Sequence, residues 1–204
     1  MTDQIIADAV SKLDDFIETK KWIMNNPLKL FNKNWSTYIK MMMYLHPQSY
    51  GSKIQKRIVH ELGLNSVNSR NDKGDFIDKF GDHYELKVSL SIDDDPKINL
   101  VQIRPWQNTN YYFISFVYKN KNIYAYCFKL SHKEMENEIK LTKMSPAHGT
   151  KTSLKDNKNI EYRLTFPIDP NNEIFLRWFK NYRSGLFDNH EDIISPKNLK
   201  DIPL

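Results

Sequence analysis

With a single cysteine among its 204 residues, Cys127, this chain cannot build a disulfide framework within a monomer. Cys127 sits in an apolar, strand-like run, and a reducing, intracellular, cytoplasmic setting is expected. Long hydrophobic runs are scarce as well. Near the N-terminus the longest is Met41-Met42-Met43-Tyr44-Leu45, far too short to span a bilayer, so no membrane association is expected. Asp3, Asp8, Asp14 and Asp15 argue against a signal or transit peptide. Internal repeats and low-complexity tracts are missing, and His46, His60, His83 and His132 show no metal-ligand spacing.

What remains is an ordinary globular composition. Hydrophobic residues make up 40% and aromatics 13%, enough for one domain over residues 1–204 with a sizeable core. A net charge of +5 permits a polyanionic partner without demanding one.

Helical spacing dominates residues 1–50. Ile5, Ile6, Ala9, Val10, Leu13 and Ile17 recur on one face until Asn25-Asn26-Pro27. A second helix is expected from about Pro27 to Leu45. A third follows Tyr50-Gly51-Ser52, with Ile54, Ile58, Val59 and Leu62 on one side, and closes at Gly63. Strands are expected at Phe76-Ile77, Tyr84 to Leu90, Tyr111 to Tyr118 and Ile123 to Leu130, which are rich in β-branched and aromatic residues. In residues 131–204, Ser131 with Glu134 marks a capped helix to Lys143. Ser145 to Asn159 is a polar loop, Glu161 to Phe166 a further strand, Asn172 to Tyr182 a closing helix, and the tail from Ser184 weakly structured. The order predicts an α/β domain with a central mixed sheet flanked by helices.

One motif carries chemistry. Gly74-Asp75 precedes His83-Tyr84-Glu85-Leu86-Lys87-Val88-Ser89-Leu90. On a strand, Glu85 and Lys87 share a face while Tyr84, Leu86 and Val88 turn to the core. A three-residue loop at Phe80-Gly81-Asp82 pairs Ile77 with Glu85 and Asp75 with Lys87, gathering two carboxylates and an ammonium on one face. A two-residue loop would put Asp78 opposite Glu85 and send Asp75 to the core. Two carboxylates and the Leu86 carbonyl suit Mg²⁺, which takes oxygen ligands and keeps several waters. Lys87 would orient an attacking water or offset charge developing on phosphate. The same spacing also fits a solvated cross-strand pair beside a turn aspartate.

The run Gly74-Asp75, nine residues, then Glu85-Leu86-Lys87-Val88-Ser89, after a helix ending Glu61-Leu62-Gly63, resembles the core of PD-(D/E)XK nucleases. The small, helix-first layout over roughly residues 50–130 is most similar to type II restriction endonucleases. That resemblance implies a restriction-endonuclease-like fold and Mg²⁺-dependent (Mn²⁺ substituting), sequence-specific cleavage of double-stranded DNA by a homodimer in a prokaryotic cytoplasm. Asp75 and Glu85 become metal ligands and Lys87 the catalytic lysine. The motif name has proline where this chain has Gly74. The family often adds an acid from the preceding helix; Glu61 is the candidate, and Gln55 occupies a position where an acid would also fit.

For DNA reading, Gln102, Arg104, Gln107 and Asn108 supply groups that pair with guanine or adenine edges. Leu100, Val101 and Ile103 read equally as a short packed helix with Trp106 in the core. His148 and Lys151 lie in the later polar loop. Tyr111-Tyr112-Phe113 reads as sheet core. Two other functions fit the same residues: a structure-specific repair or recombination nuclease on the same core, and a non-catalytic DNA-binding module.

Overall fold

The structure, a computed structural model, describes residues 15–67, 74–92, 95–147 and 160–203. Helical backbone runs over residues 15–25 (α1), followed by α2 (Pro27–Phe31), α3 (Trp35–Met42) and α4 (Pro47–Glu61). The expected helix from Pro27 to Leu45 is therefore two helices. Asn34 breaks it, because its side chain accepts the Thr37 N–H at 2.9 Å and starts α3 afresh. Helix α4 begins at Pro47 instead of after Ser52, since proline at the first turn lacks an N–H that the helix would leave unpaired anyway.

Five strands make the central mixed sheet, in the order β1 (Asn65–Ser66), β2 (Phe76–Ile77), β3 (His83–Ser91), β5 (Asn110–Lys119), β6 (Asn122–Leu130). Strands β3 and β5 run parallel and the other pairs antiparallel. Asn120 and Lys121 turn β5 into β6 with φ of 52° and 65°, the backbone that a two-residue hairpin requires. Between β3 and β5 the chain leaves to form β4 (Lys97–Ile103), which joins β8 (Tyr162–Pro167) and β7 (Ser145–Pro146) in a second sheet. Helix α5 (His132–Leu141) carries the expected box, with Ser131 and Glu134 capping each other. Helix α6 (Glu173–Asn181) starts from Asn172.

Strand alternation divides the interior in two. Tyr84 and Leu86 face a core with Trp35, Ile39, Ile54 and Ile58 of α3 and α4. Tyr111, Phe113 and Phe128 face the other way, onto Ile98, Leu100 and Phe166 of the second sheet and Phe175 and Trp178 of α6. Tyr111 and Phe113 are sheet core, as their composition predicts. So helices cover one face of the central sheet, and a second sheet with helices covers the other.

Two expectations fail here. Residues 97–103 are a strand, not a short packed helix, and Trp106 is exposed. A register shift between Leu100 and Ile103 changes the burial spacing from two to three, which imitates one turn of helix. The tail is not weakly structured: Phe187, Ile193 and Ile202 are buried. It also pairs with the outer edge of β6. The Ser184 N–H donates to Cys127 O at 2.8 Å, Ala125 N–H to Ile194 O at 2.9 Å, and Ile194 N–H to Ile123 O at 2.9 Å. An open strand edge is a template for unwanted pairing, and these residues close it. Among the described residues no helix is long and apolar enough to cross a membrane.

Candidate active site

The hairpin joining β2 to β3 sets the geometry. Phe76 pairs with Tyr84 and Ile77 with His83, so the loop is one residue earlier than 80–82. The cause is Asp78. Its carboxylate accepts the N–H groups of Phe80 and Asp82 at 2.9 and 3.0 Å, while its own N–H donates to Asp82 O at 3.0 Å. The turn stays odd in length, so Asp75 keeps the face of Glu85 and Lys87, but it is not opposite Lys87. Asp75 sits at a bend ahead of β2, where its N–H donates to Tyr84 O at 2.7 Å.

Gly74 makes that bend possible. Its φ is +79°, and a Cβ there would lie 2.6 Å from the Tyr84 carbonyl oxygen and 3.2 Å from the Glu85 nitrogen. A backbone, not a ligand, uses the space that glycine leaves.

From this bend the Asp75 carboxylate reaches forward: Oδ2 accepts the Leu86 N–H at 2.8 Å. A strand residue directs its N–H and C=O to the same side, so the Leu86 carbonyl points to the Asp75 edge too. Gln55 on α4 faces the same carboxylate and favours its charged form. Glu85 is 4% exposed, and its Oε1 accepts from Lys87 Nζ at 2.5 Å. Tyr111 lies directly across the parallel ladder from Glu85. Burial, then the Glu85 charge, pushes its phenol up, so the hydroxyl stays neutral beside the carboxylate. Burial first and Glu85 second also push the Asp75 carboxyl above its ordinary value, against the pull of Leu86 N–H, Lys87 and Gln55.

The three motif residues are thus neighbours, and Lys87, with Leu86 and Gln55, lines a cleft of about 310 Å³ that Asp75 and Glu85 adjoin from behind. That cleft runs along the free edge of β3 from Leu86 to Leu90, between the first turns of α4 and strand β4. Gln55, Lys87, Ser89, Asn99 and Gln102 are among its lining residues, and the Asn99 N–H donates to Ser89 Oγ at 3.2 Å.

Other expected residues go elsewhere. Glu61 is not part of the cluster: its carboxylate accepts from Arg57 Nε at 2.7 Å and from Trp35 Nε1 at 2.6 Å. It lies six residues past Gln55 on α4, about 600° around and about 9 Å along the helix, and therefore on another face. Among the described residues no group of three or more His, Cys, Asp or Glu side chains is arranged to hold a metal ion. The donor set at the motif is two carboxylates and a carbonyl. Arg104 is paired with Glu161 at 2.7 Å, Gln107 is half-buried in the turn Pro105–Gln107, and Asn108 ends that turn exposed at φ 52°. His148 and Lys151 lie outside the described residues.

Gln55 is the member that the sequence marked least. Its only signal was a place on the helix before the motif, facing the same way as the apolar residues of α4.

No protein-family model matches the chain, and a search of curated proteins finds no match either.

Proposed function

We propose that this protein is a Mg²⁺-dependent, sequence-specific endonuclease of double-stranded DNA, of type II restriction kind, with a restriction-endonuclease-like core and acting as a homodimer. One observation carries this function: Asp75, bonded to the Leu86 N–H, and the Glu85–Lys87 ion pair meet at one corner of a central mixed sheet, where Lys87 lines an open cleft. Burial and then the Glu85 charge raise the proton affinity of Asp75, and such a carboxylate beside a second one is a donor set that a divalent cation satisfies. Asp75, Glu85 and the Leu86 carbonyl would hold Mg²⁺, with Mn²⁺ as substitute. When bound, the ion supplies Lewis acidity and a water of lowered pKa.

The chain's own groups do the rest. Gln55 and the Leu86 N–H orient the Asp75 carboxylate from two sides. Glu85 holds the Lys87 ammonium at the head of the cleft, so a cation is already in place for negative charge developing on phosphate. Tyr111 excludes water from behind Glu85, being fully buried.

Incubating the pure protein with plasmid DNA and Mg²⁺ tests this function. Discrete fragments are expected, dependent on the metal. No cutting of diverse DNA at several salt concentrations would refute it. Cutting confined to branched or mismatched substrates, without sequence preference, would replace it with a structure-specific nuclease. Metal-independent DNA binding unaltered by Asp75→Asn would replace it with a non-catalytic binding module.

A further inference from the structure

Gln102 stands out in the cleft for two independent reasons. The first is its backbone. At φ +56° it occupies the left-handed region, within the irregularity of β4 between Leu100 and Ile103. A β-carbon there crowds the following carbonyl, a strain that glycine avoids. A long polar side chain held at such a position is a pattern of functional sites.

The second reason is its lack of a partner. The other polar side chains of the cleft are bonded within the protein. Gln55 lies close enough to Asp75 to pull its pKa down, Lys87 binds Glu85, and Ser89 accepts from the Asn99 backbone. Asn99 Oδ1 accepts from Thr165, Ser52 donates to Ser49 O, and the Tyr50 hydroxyl bonds the Leu90 backbone. Gln102 is exposed, lines the same cleft, and has no hydrogen-bond partner among the described residues. Its carboxamide offers one donor and one acceptor in a fork, the complement of adenine N7 and N6–H₂.

On the nuclease function above, we propose that Gln102 is a specificity-determining residue that reads an adenine in the duplex next to the scissile phosphate. Gln102 lines the same cleft of about 310 Å³ as Lys87. Arg104 is tied to Glu161 at 2.7 Å and does not line the cleft. The irregularity in β4 sets Gln102, at φ +56°, on the lining of the cleft.

The test uses cleavage-dead protein, so that binding preference is read without cutting. Lys87→Ala and Lys87→Ala/Gln102→Gly proteins are each equilibrated with a randomised duplex pool in Mg²⁺, and the bound fraction is sequenced. Lys87→Ala is expected to enrich an A·T pair at one position, and the added Gln102→Gly to erase about tenfold to hundredfold of that enrichment there alone. The double variant should melt no lower than its parent, because glycine accepts φ +56° without strain. Unchanged enrichment in the double variant would overturn the assignment. So would loss at every position with a lower melting temperature, or a sensitive position other than A·T. Plasmid cleavage by the wild-type and Gln102→Gly proteins separates the two ideas. If both cut with one preference, the nuclease stands and the role of Gln102 falls. If the wild type neither cuts nor enriches, both fall.

Discussion

The Leu86 N–H donates to Asp75 Oδ2 at 2.8 Å, which fastens that carboxylate to the strand residue between Glu85 and Lys87. Because the bond comes from backbone, it holds Asp75 in the corner whatever side chain follows on β3. Glu85 and Lys87 can therefore each be altered without removing the bond that holds Asp75.

Lys87→Ala should then abolish plasmid cleavage, by at least about 10²–10³-fold, while leaving the circular-dichroism spectrum and DNA binding nearly unchanged. The Lys87 ammonium is bonded to Glu85 alone among the described partners, so few structural contacts are lost. Normal cutting by this variant would show that the site is misassigned.

Gly74→Ala should be far more damaging than a surface Gly→Ala exchange. The added carbon meets the Tyr84 carbonyl at 2.6 Å and the backbone carries φ +79°. A loss of about 2 kcal/mol is expected, about 4–8 °C in melting temperature at this chain length, with cleavage impaired as the bend shifts Asp75. Gly51→Ala, where a Cβ meets nothing within 4 Å, is the control and should melt as the parent does or higher.

Metal should stabilise the protein through the same corner. With the folded-state pKa of Asp75 raised, stability falls as pH rises from the unfolded carboxylate value, about 3.9, through the raised value, and stays reduced above it. At pH 7, Mg²⁺ at about 100 times its dissociation constant should recover about 2.7 kcal/mol, read as a shift of about 5–10 °C. Asp75→Asn should raise the metal-free melting temperature and cancel the Mg²⁺ shift. An equal Mg²⁺ shift in both proteins would remove Asp75 from the ligand set.

A second carboxylate governs acid stability instead. Glu138 on α5 is fully buried and accepts four bonds, from Arg177 Nε and Nη2, Trp178 Nε1 and Tyr182 OH. These bonds outweigh its burial and hold it below its ordinary value. Its contribution is therefore complete above the unfolded carboxylate value, about 4.3, and is lost as pH falls through the depressed one. Glu138→Gln should cost about 2 kcal/mol at pH 7 and flatten the acid limb of the unfolding curve; Glu138→Ala should cost about 3–5 kcal/mol. An acid limb identical to the wild type would show that other groups set it.

Much of the fold was legible because local chemistry and tertiary placement agree. Strands β3, β5 and β6 are runs of nine or ten residues rich in aromatic and β-branched side chains, and α5 and α6 begin at Ser131 and Asn172, whose side chains cap them. Where they disagreed, the pattern misled. The bulge at Gln102 spaced Leu100 and Ile103 like a helix. Lys33 and Asn34 interrupt what composition alone makes continuous. The tail is ordered by backbone pairing with β6, which leaves no periodic trace in its side chains. In the site, the shared face of Asp75, Glu85 and Lys87 followed from the parity of the turn. The one-residue register difference did not, since it depends on Asp78 capping two N–H groups. Glu61 fell to a competition invisible in sequence, because Arg57 and Trp35 claim it.

The strap across β6 also imposes an order of events during synthesis. Strand β6 is complete at Leu130, yet its first partner on that side, around Arg183, emerges roughly fifty residues later, about 3–10 s at ordinary elongation rates. Throughout that interval a nascent chain can hold its hydrophobic sheet together but still offers an unpaired edge to its neighbours on the polysome. Crowded translation of this message therefore favours mispaired chains, and slowing initiation, which spaces the ribosomes, should raise the soluble yield more than lowering the temperature after synthesis is finished.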